Sequence, residues 1–421
     1  MSRIQLPTAS FPASVWWKAA LAVTCFTLLL VAHHLAPGSM SMLTFQGETF
    51  PEQGRFLAED YLQFVVDFHQ ENPAFVRRPL TTQLVSRLQY FFGLSVGWAF
   101  LLANFSLLWG AAYALFGLTL RLFQRPEIAY WSLIGFFTTF SLCFAFFPKI
   151  YSYDEPMQYL LLLLALLFWW RQRWLLFGLT FALSLLSRES GLLLLPALGW
   201  WAWQHPPTRQ RALLALLVPT LLYGAYYLSF FYGVDTSAEA RKLLSERQDA
   251  LDYNFANLRF ARESLVSVGL AAVWPAIVVV LFPTKSTFGV SLKPWKTAFW
   301  ISLAINTPVI FLTARAQETR LFALPLLFLW PIVGASFARF WSVFQAVDWG
   351  AGLREKWYLF IGFSLVFLGN LWIYLKVTIP TGFYKTDNWQ DEYLLLLSSL
   401  VAFIVMVRLL SSENVTTPSP K

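Results

Sequence analysis

The chain has 421 residues, of which 57% are hydrophobic, 18% aromatic and 13% charged, and its formal net charge is +8. These proportions exclude an ordinary soluble domain and predict a polytopic membrane protein. The basic excess does not indicate a nucleic-acid partner, because the basic residues occur in small groups between apolar segments, as membrane topology requires. The two cysteines, Cys25 and Cys143, lie in apolar runs and predict neither a disulfide nor a metal-thiolate site.

Twelve apolar segments are long enough to cross about 30 Å of hydrocarbon if some of them tilt. Their approximate limits are 15–35, 94–120, 128–148, 156–170, 174–187, 190–204, 212–232, 264–282, 297–313, 321–341, 357–377 and 392–410. They predict an all-α polytopic bundle that forms one transmembrane domain over residues 1–410. Residues 411–421 are expected to be a disordered cytoplasmic tail.

The basic residues between these segments predict the orientation of the chain. With the N-terminus inside, the cytoplasmic connections contain Arg121, Arg125, Arg171, Arg173, Arg209, Arg211, Lys285, Lys293, Lys296, Arg354 and Lys356. This positive-inside pattern places the long loops 36–93 and 233–263 on the outer side. Four of the 23 acidic residues then lie inside, which leaves 19 outside. That bias indicates either a catalytic or cation-handling outer face or only the greater length of the outer loops.

The first outer loop contains a predicted amphipathic helix at residues 54–70. Its apolar residues recur at spacings of three to five, with acidic and amide residues between them, and they are Phe56, Tyr61, Phe64, Val65 and Phe68. A helix of this kind is expected to lie in the plane of the membrane interface. A second segment, at residues 80–92, leads back to the membrane.

Arg188 and Glu189 are the only charged residues between positions 174 and 204. An ionisable pair within so apolar a stretch indicates a functional site, because charges are costly in hydrocarbon. The alternative is an ion pair that fixes two helix ends. Arg173 and Arg209 are both predicted to be inside, so Arg188 and Glu189 are expected at the outer end of a hairpin.

Three further groups of charged residues are predicted on the same outer side. They are Lys149 with Asp154 and Glu155, then Arg315 with Glu318 and Arg320, and the loop helix that carries Asp60. Asp154 could instead cap the helix that begins near Pro156. Arg77 and Arg78 also lie outside, and lipid head groups are the favoured partners of this basic pair.

The order of these motifs resembles that of the GT-C superfamily of integral-membrane glycosyltransferases, in particular bacterial mannosyltransferase-like proteins. The resemblance covers residues 15–205: a first span, a long outer loop with an acidic helix, Arg-Arg-Pro-Leu at 77–80, Asp-Glu-Pro at 154–156 and Leu-Ser-Arg-Glu-Ser at 186–190. Beyond that range only Glu318-Thr319-Arg320 is similar. Many relatives have Tyr-Asp-Gly-Gln in the first loop, where this chain has Glu59-Asp60-Tyr61-Leu62-Gln63.

The resemblance implies transfer of a sugar from a polyprenyl-phosphate-linked donor to a lipid-linked glycan, polysaccharide or protein acceptor. It implies a bacterial inner-membrane location and a catalytic carboxylate in the first loop, for which Asp60 is preferred and Glu59 and Asp67 remain open. Candidate phosphate-binding residues are Arg188, Arg78, Arg315, Arg320 and Lys149. Asp154, Glu155 and Glu189 could orient the acceptor, and Asp154 and Glu155 with Asp60 could hold Mg²⁺ or Mn²⁺.

Two other classes of function remain open. A transporter or flippase of lipid-linked glycans also has many spans, but its charged residues are expected near the bilayer midplane rather than at the outer edge. A catalytically inactive GT-C-like scaffold in cell-envelope polysaccharide assembly would keep the fold without the chemistry. His33, His34 and His69 have no companions at metal-ligand spacing, so no metal is assigned to them.

Overall fold

The computed structural model describes residues 11–36, 41–44, 57–146, 152–204, 206–233, 249–284, 291–378 and 390–411. Within these ranges the chain is helical and contains no β-strand. The helices of the first half are α1 (Ala13–Leu35), α2 (Glu59–Glu71), α3 (Pro73–Val76), α4 (Pro79–Phe92), α5 (Val96–Phe123), α6 (Pro126–Phe137), α7 (Phe140–Cys143), α8 (Glu155–Trp170) and α9 (Trp174–Ser187).

The helices of the second half are α10 (Leu195–Trp203), α11 (Arg209–Gly233), α12 (Leu258–Leu281), α13 (Lys293–Thr313), α14 (Leu326–Ala346), α15 (Trp349–Glu355), α16 (Trp357–Ile373) and α17 (Gln390–Leu410). A π-helical turn at Gly269–Val273 lies within α12. Two 3-10 segments, Glu189–Leu194 and Thr319–Phe322, precede α10 and α14.

Eight helices in the described ranges are long and apolar enough to cross a membrane. They are α1, α5, Pro206–Ser229, α12, α13, α14, Trp357–Lys376 and α17. The helices α8 and α9 are also apolar but shorter, with 16 and 14 residues. The chain is therefore an all-helical integral membrane protein, as predicted, whereas the prediction of twelve full spans is not confirmed.

The structure divides two of the predicted spans. In segment 128–148, α6 ends before Thr138 and Thr139, whose hydroxyls donate to the carbonyls of Ile134 and Gly135 at 2.7 and 2.8 Å. Such bonds to the preceding turn destabilise and bend a helix. In segment 190–204, α10 begins only at Leu195 and has nine residues. Pro196, which lacks an amide hydrogen and crowds the preceding turn, lies in the first turn of α10, where proline is favoured.

The helix α2, in the first loop that was predicted to be outside, packs against the bundle. Its buried residues follow helical spacing and are Tyr61, Leu62, Val65, Val66 and His69. They contact α3, α4 and α5, so the apolar face of α2 is covered by protein. The helix begins at Glu59 rather than at position 54, and residues 54–56 lie outside the described ranges. Residues 234–248 of the second outer loop also lie outside them.

The helices α5 and α14 lie at the centre of the bundle and are largely buried, whereas none of the residues of α16 is buried. The close packing of α14 on α6 depends on Gly334. A Cβ atom at Gly334 would lie 2.6 Å from the carbonyl oxygen of Ile128 and from the amide nitrogen of Ser132. Small residues at such crossings allow two helix backbones to approach closely.

We expect Gly334→Ala to destabilise the protein by about 1–3 kcal/mol, because an added methyl group must push two backbones apart. The measurement is thermal unfolding of the purified protein in detergent. Gly224→Ala in α11 is the matched control, since a Cβ there meets no atom within 4 Å. An equal loss of stability in both variants would contradict the proposed packing of α6 on α14.

Candidate functional site

Four segments that are far apart in the sequence place charged side chains at one location. They are the connection between α3 and α4, the start of α8, the end of α9, and the 3-10 segment before α14. We name this group the charge cluster, and its members are Arg77, Arg78, Asp154, Glu155, Arg188, Glu189, Glu318 and Arg320. Because buried ions must be paired to be tolerated, these contacts fix the relative positions of the four segments.

Glu189 joins the first outer loop to the end of α9. Arg78 donates to both of its carboxylate oxygens, from Nε at 2.6 Å and from Nη2 at 2.5 Å, and Arg77 Nη2 donates at 2.8 Å. Burial by itself would raise the pKa of Glu189, but the guanidiniums of Arg78 and Arg77 hold it far below its usual range. Arg77 and Arg78 are thus paired with a carboxylate of the protein, whereas the sequence analysis favoured lipid head groups as their partners.

The helices α3 and α4 flank Arg77 and Arg78 and position their side chains. The side chain of Asn72 accepts a hydrogen bond from the amide of Ala74 at 2.9 Å and so caps α3, and both α3 and α4 begin with proline. The dipeptide between them turns sharply. Arg77 Nη1 also donates to the hydroxyl of Tyr227 in α11 at 3.0 Å, which fixes the turn to the bundle.

Glu155 is the second bridging carboxylate, at the first position of α8. Its Oε1 accepts hydrogen bonds from Arg188 Nη1 and, at 2.6 Å, from Arg320 Nη1. Arg188 Nη1 also donates to Ser152 Oγ at 2.9 Å, and Arg320 Nη2 donates to Glu318 Oε2 at 2.6 Å. Arginine suits such a site because its planar group of donors can serve several oxygens at once.

Asp154 lies between the two bridging carboxylates and is bound more loosely. Its Oδ2 is 3.7 Å from Arg78 Nη1 and accepts from Ser152 Oγ at 3.3 Å, while its buried Oδ1 accepts no hydrogen bond from the described residues. The closest ring nitrogen, His69 Nδ1, is 4.0 Å from Oδ1. Burial raises the pKa of Asp154 to about 7, against the opposing effect of Arg78.

Several donors in the charge cluster have no partner among the described residues. Arg188 uses only Nη1, so its Nε and Nη2 remain available. Arg77 Nε is buried without a hydrogen bond. Together with Oδ1 of Asp154, these atoms are hydrogen-bonding groups of the charge cluster that the described residues leave unused, although buried polar groups are usually bonded.

The acidic residues of the first loop have other environments. Glu59 accepts from Ser95 Oγ at 2.6 Å and from the amide of Gly97 at 2.8 Å, so its carboxylate caps the N-terminus of α5. Asp60 is exposed on α2, and no ion pair among the described residues joins it to the charge cluster. Asp67 accepts a hydrogen bond from Gln63 at 2.7 Å. Of these residues, Glu59 therefore has a structural role that accounts for both of its oxygens.

The two remaining predicted phosphate-binding residues are Arg315 and Lys149. Arg315 is exposed, and its guanidinium carbon is 5.0 Å from the centre of the Tyr253 ring. Lys149 lies outside the described residues.

Two contributors were not identified from the sequence. Ser152 connects the two halves of the cluster, because its hydroxyl contacts Asp154 and Arg188 and its carbonyl accepts from Arg320 at 2.9 Å. Gln158 donates to the carbonyl of Arg188 at 3.1 Å. The sequence did contain a signal for Gln158, because it is the only amide or charged residue in the apolar segment 156–170.

The cluster does not fit the predicted divalent cation. In the described part of the chain, no group of three or more His, Cys, Asp or Glu side chains could hold a metal. Arg78 lies beside Asp154, and Arg188 and Arg320 occupy Oε1 of Glu155. Arginine side chains therefore already occupy or flank the carboxylate oxygens that Mg²⁺ or Mn²⁺ would need as ligands.

The fold and the charge cluster define an integral membrane protein whose charged site is assembled at the ends of its helices. Comparison of the chain with protein-family models, with curated proteins and with solved structures gives no match.

We expect Asp154 to be protonated at pH 5 and ionised at pH 9, because its pKa lies at about 7. Infrared difference spectroscopy of the purified protein should show a carboxylic-acid carbonyl band that disappears as the pH rises through this value. The band should be absent from Asp154→Asn and retained in Asp67→Asn. A band that persists in Asp154→Asn would contradict the assignment.

Proposed function

We propose that this protein is a membrane glycosyltransferase that moves a sugar from a polyprenyl-phosphate-linked donor to a glycan, lipid or protein acceptor at the outer face of the membrane. The observation that carries the proposal is the position of Asp154. Among the described residues, one oxygen of its buried carboxyl group has no hydrogen-bond partner, and the carboxyl group lies beside arginines with donors that these residues leave unused. A proton acceptor and a cationic site for phosphate are the two groups that this transfer requires.

Asp154 and Arg188 have different roles in the reaction. Asp154, when ionised, accepts the proton of the acceptor hydroxyl, and the acceptor oxygen forms a bond to the anomeric carbon. The bond between that carbon and the phosphate oxygen breaks, and polyprenyl phosphate leaves with the electron pair. Arg188, through its free Nε and Nη2, stabilises the charge that develops on the leaving phosphate.

Asp154 replaces Asp60 as our preferred base. Asp60 is exposed to solvent and has no contact with the arginines, whereas Asp154 is buried among them and its pKa of about 7 suits proton transfer near neutral pH. The exposed Asp60 remains the alternative. Glu59 is the weakest of the three, because both of its oxygens cap α5.

The ends of α8 support the outward orientation of the site. Glu155 begins this helix within the charge cluster, and Arg171 and Arg173 follow its other end. Arg121, at the end of α5, also belongs to the basic connections that the positive-inside rule assigns to the cytoplasm. The cluster is then on the outer side, where polyprenyl-linked sugars are used by the enzymes that the sequence resembles.

A transporter or flippase of lipid-linked glycans is the second candidate, because a buried carboxyl group that titrates near neutral pH could couple transport to protons. A scaffold would use the same ion pairs only to hold helix ends together. These functions differ from glycosyl transfer in one respect: neither needs Asp154 to accept a proton from a hydroxyl group.

The test is mass spectrometry of lipid-linked and surface glycans in a strain that lacks this protein. We expect a missing sugar that the wild-type protein restores and that Asp154→Asn does not, because general-base catalysis contributes about 10²–10⁴-fold. Asp348→Asn is the matched control. Asp348 caps α15 by accepting from Ala351 at 3.0 Å, and asparagine caps a helix equally well.

Asp60→Asn separates the two candidate bases at matched expression. Rescue by Asp60→Asn with failure of Asp154→Asn assigns the base to Asp154, and the reverse pattern assigns it to Asp60. Unchanged glycans in the deletion strain would contradict the proposed function and favour the transporter or the scaffold.

A further inference from the structure

Three consecutive aromatic residues at the C-terminal end of α4 are exposed. They are Tyr90, Phe91 and Phe92, and the exposed fractions of these residues are 84%, 71% and 71%. Trp98, in the first turn of α5, is exposed as well. We name these four residues the aromatic patch. Large aromatic side chains gain much free energy on burial, so an exposed group of them marks a contact with another apolar surface or medium.

The backbone on both sides of the aromatic patch is anchored to the bundle. In α4, Val85 is fully buried, and Gly93 ends the helix with a φ of 61°, the left-handed conformation that glycine favours. At the start of α5, the hydroxyl of Ser95 and the amide of Gly97 donate to the carboxylate of Glu59 at 2.6 and 2.8 Å. The exposure of the rings therefore follows from the path of an anchored turn.

The aromatic patch is continuous with an apolar face of α5. This helix is long and apolar enough to cross a membrane, and its exposed residues Trp98 and Leu102 are four positions apart and share one face. The three rings at the end of α4 come directly before this face in the chain. If α5 crosses the bilayer, its first turn lies where hydrocarbon meets water, and aromatic rings are enriched at that boundary.

Arg87 gives the aromatic patch a cationic edge. It is exposed and forms no ion pair with the described residues. It precedes Tyr90 and Phe91 by three and four positions, so it shares their side of α4. A guanidinium beside exposed rings suits a lipid surface, where phosphate groups lie next to acyl chains. A contact between two copies of the chain through this patch would desolvate both Arg87 side chains, which is costly unless they are paired.

The helix α4 connects the aromatic patch to the charge cluster. Its 14 residues give it a length of about 21 Å, with Arg78 of the cluster directly before its first residue and Phe92 as its last. The sequence predicted α2 as the helix in the membrane interface, but the apolar face of α2 is covered by protein. In the described part of the first loop, the exposed aromatic residues at the end of α4 are better placed for that contact.

We propose that the aromatic patch is inserted in the interface of the lipid bilayer, with its rings at the level of the glycerol groups and the upper acyl chains. The bilayer surface then supports one end of α4, and the opposite end carries Arg77 and Arg78 into the charge cluster. This inference goes beyond the proposed function and does not depend on it, because it concerns where the first loop lies and not which reaction the cluster catalyses.

The test is fluorescence quenching of the full chain in nanodiscs of phosphatidylcholine and phosphatidylglycerol. Cys25 and Cys143 are replaced by alanine, and Phe91→Cys provides a single thiol for a bimane label. Lipids brominated in the upper acyl chain should remove most of the emission, whereas iodide in the water should remove little. Gln63→Cys, at an exposed position of α2, is the matched control, and its label should respond to iodide and not to the brominated lipids.

The inference is overturned if brominated lipids do not quench the label at position 91, or if iodide quenches the two labels equally. A bifunctional maleimide that joins position 91 of two copies in liposomes, without quenching by lipid, would assign the patch to a contact between copies instead. Tyr90→Cys replaces Phe91→Cys if thermal unfolding shows that the latter does not fold, and the same pattern of quenching is expected at position 90.

Discussion

Charged side chains within an apolar bundle must be compensated, and in this protein two glutamates provide the compensation. Glu189 is shared by Arg77 and Arg78, and Glu155 is shared by Arg188 and Arg320. Removing Glu189 would leave Arg77 and Arg78 without their main partner, and removing Glu155 would do the same to Arg188; breaking a buried ion pair in this way typically costs about 3–5 kcal/mol. These pairs hold together the first outer loop, α8, the end of α9 and the segment before α14, so the geometry of the site depends on them.

The same constraint explains why Asp154 differs from its neighbours. The two glutamates occupy the nearest guanidinium donors, and Asp154 is left with a distant contact to Arg78 and with one oxygen that accepts no hydrogen bond from the described residues. Burial therefore dominates its ionisation, whereas ion pairing dominates that of Glu189. A carboxyl group in this position can gain and lose a proton while the ion pairs around it remain intact. This separation of structural and reactive carboxylates is the physical basis of the proposed chemistry.

Local sequence patterns predicted some of the helices, whereas contacts between residues far apart in the sequence could not be predicted. The segment 174–187 was predicted with the limits that α9 has, because a continuous apolar run has a strong local signal. The segment 190–204 was predicted as a full span, since hydropathy does not register that Pro196 delays the helix. The pairing of Arg78 with Glu189 joins positions 111 residues apart, and no local pattern contains that distance. Asp60 was preferred as the base for its place in a motif, but its exposure depends on how α2 packs.

The most direct test of this account is a double-mutant cycle between Arg78 and Glu189, with stability measured by equilibrium unfolding in mixed micelles. The variants Arg78→Met, Glu189→Gln and the double variant give the coupling energy of the pair. The bidentate geometry predicts a coupling of about 2–3 kcal/mol, because each single change removes the bidentate partner of a mostly buried charge. Additive effects, with a coupling below about 0.5 kcal/mol, would show that this ion pair does not hold the outer loop on the bundle.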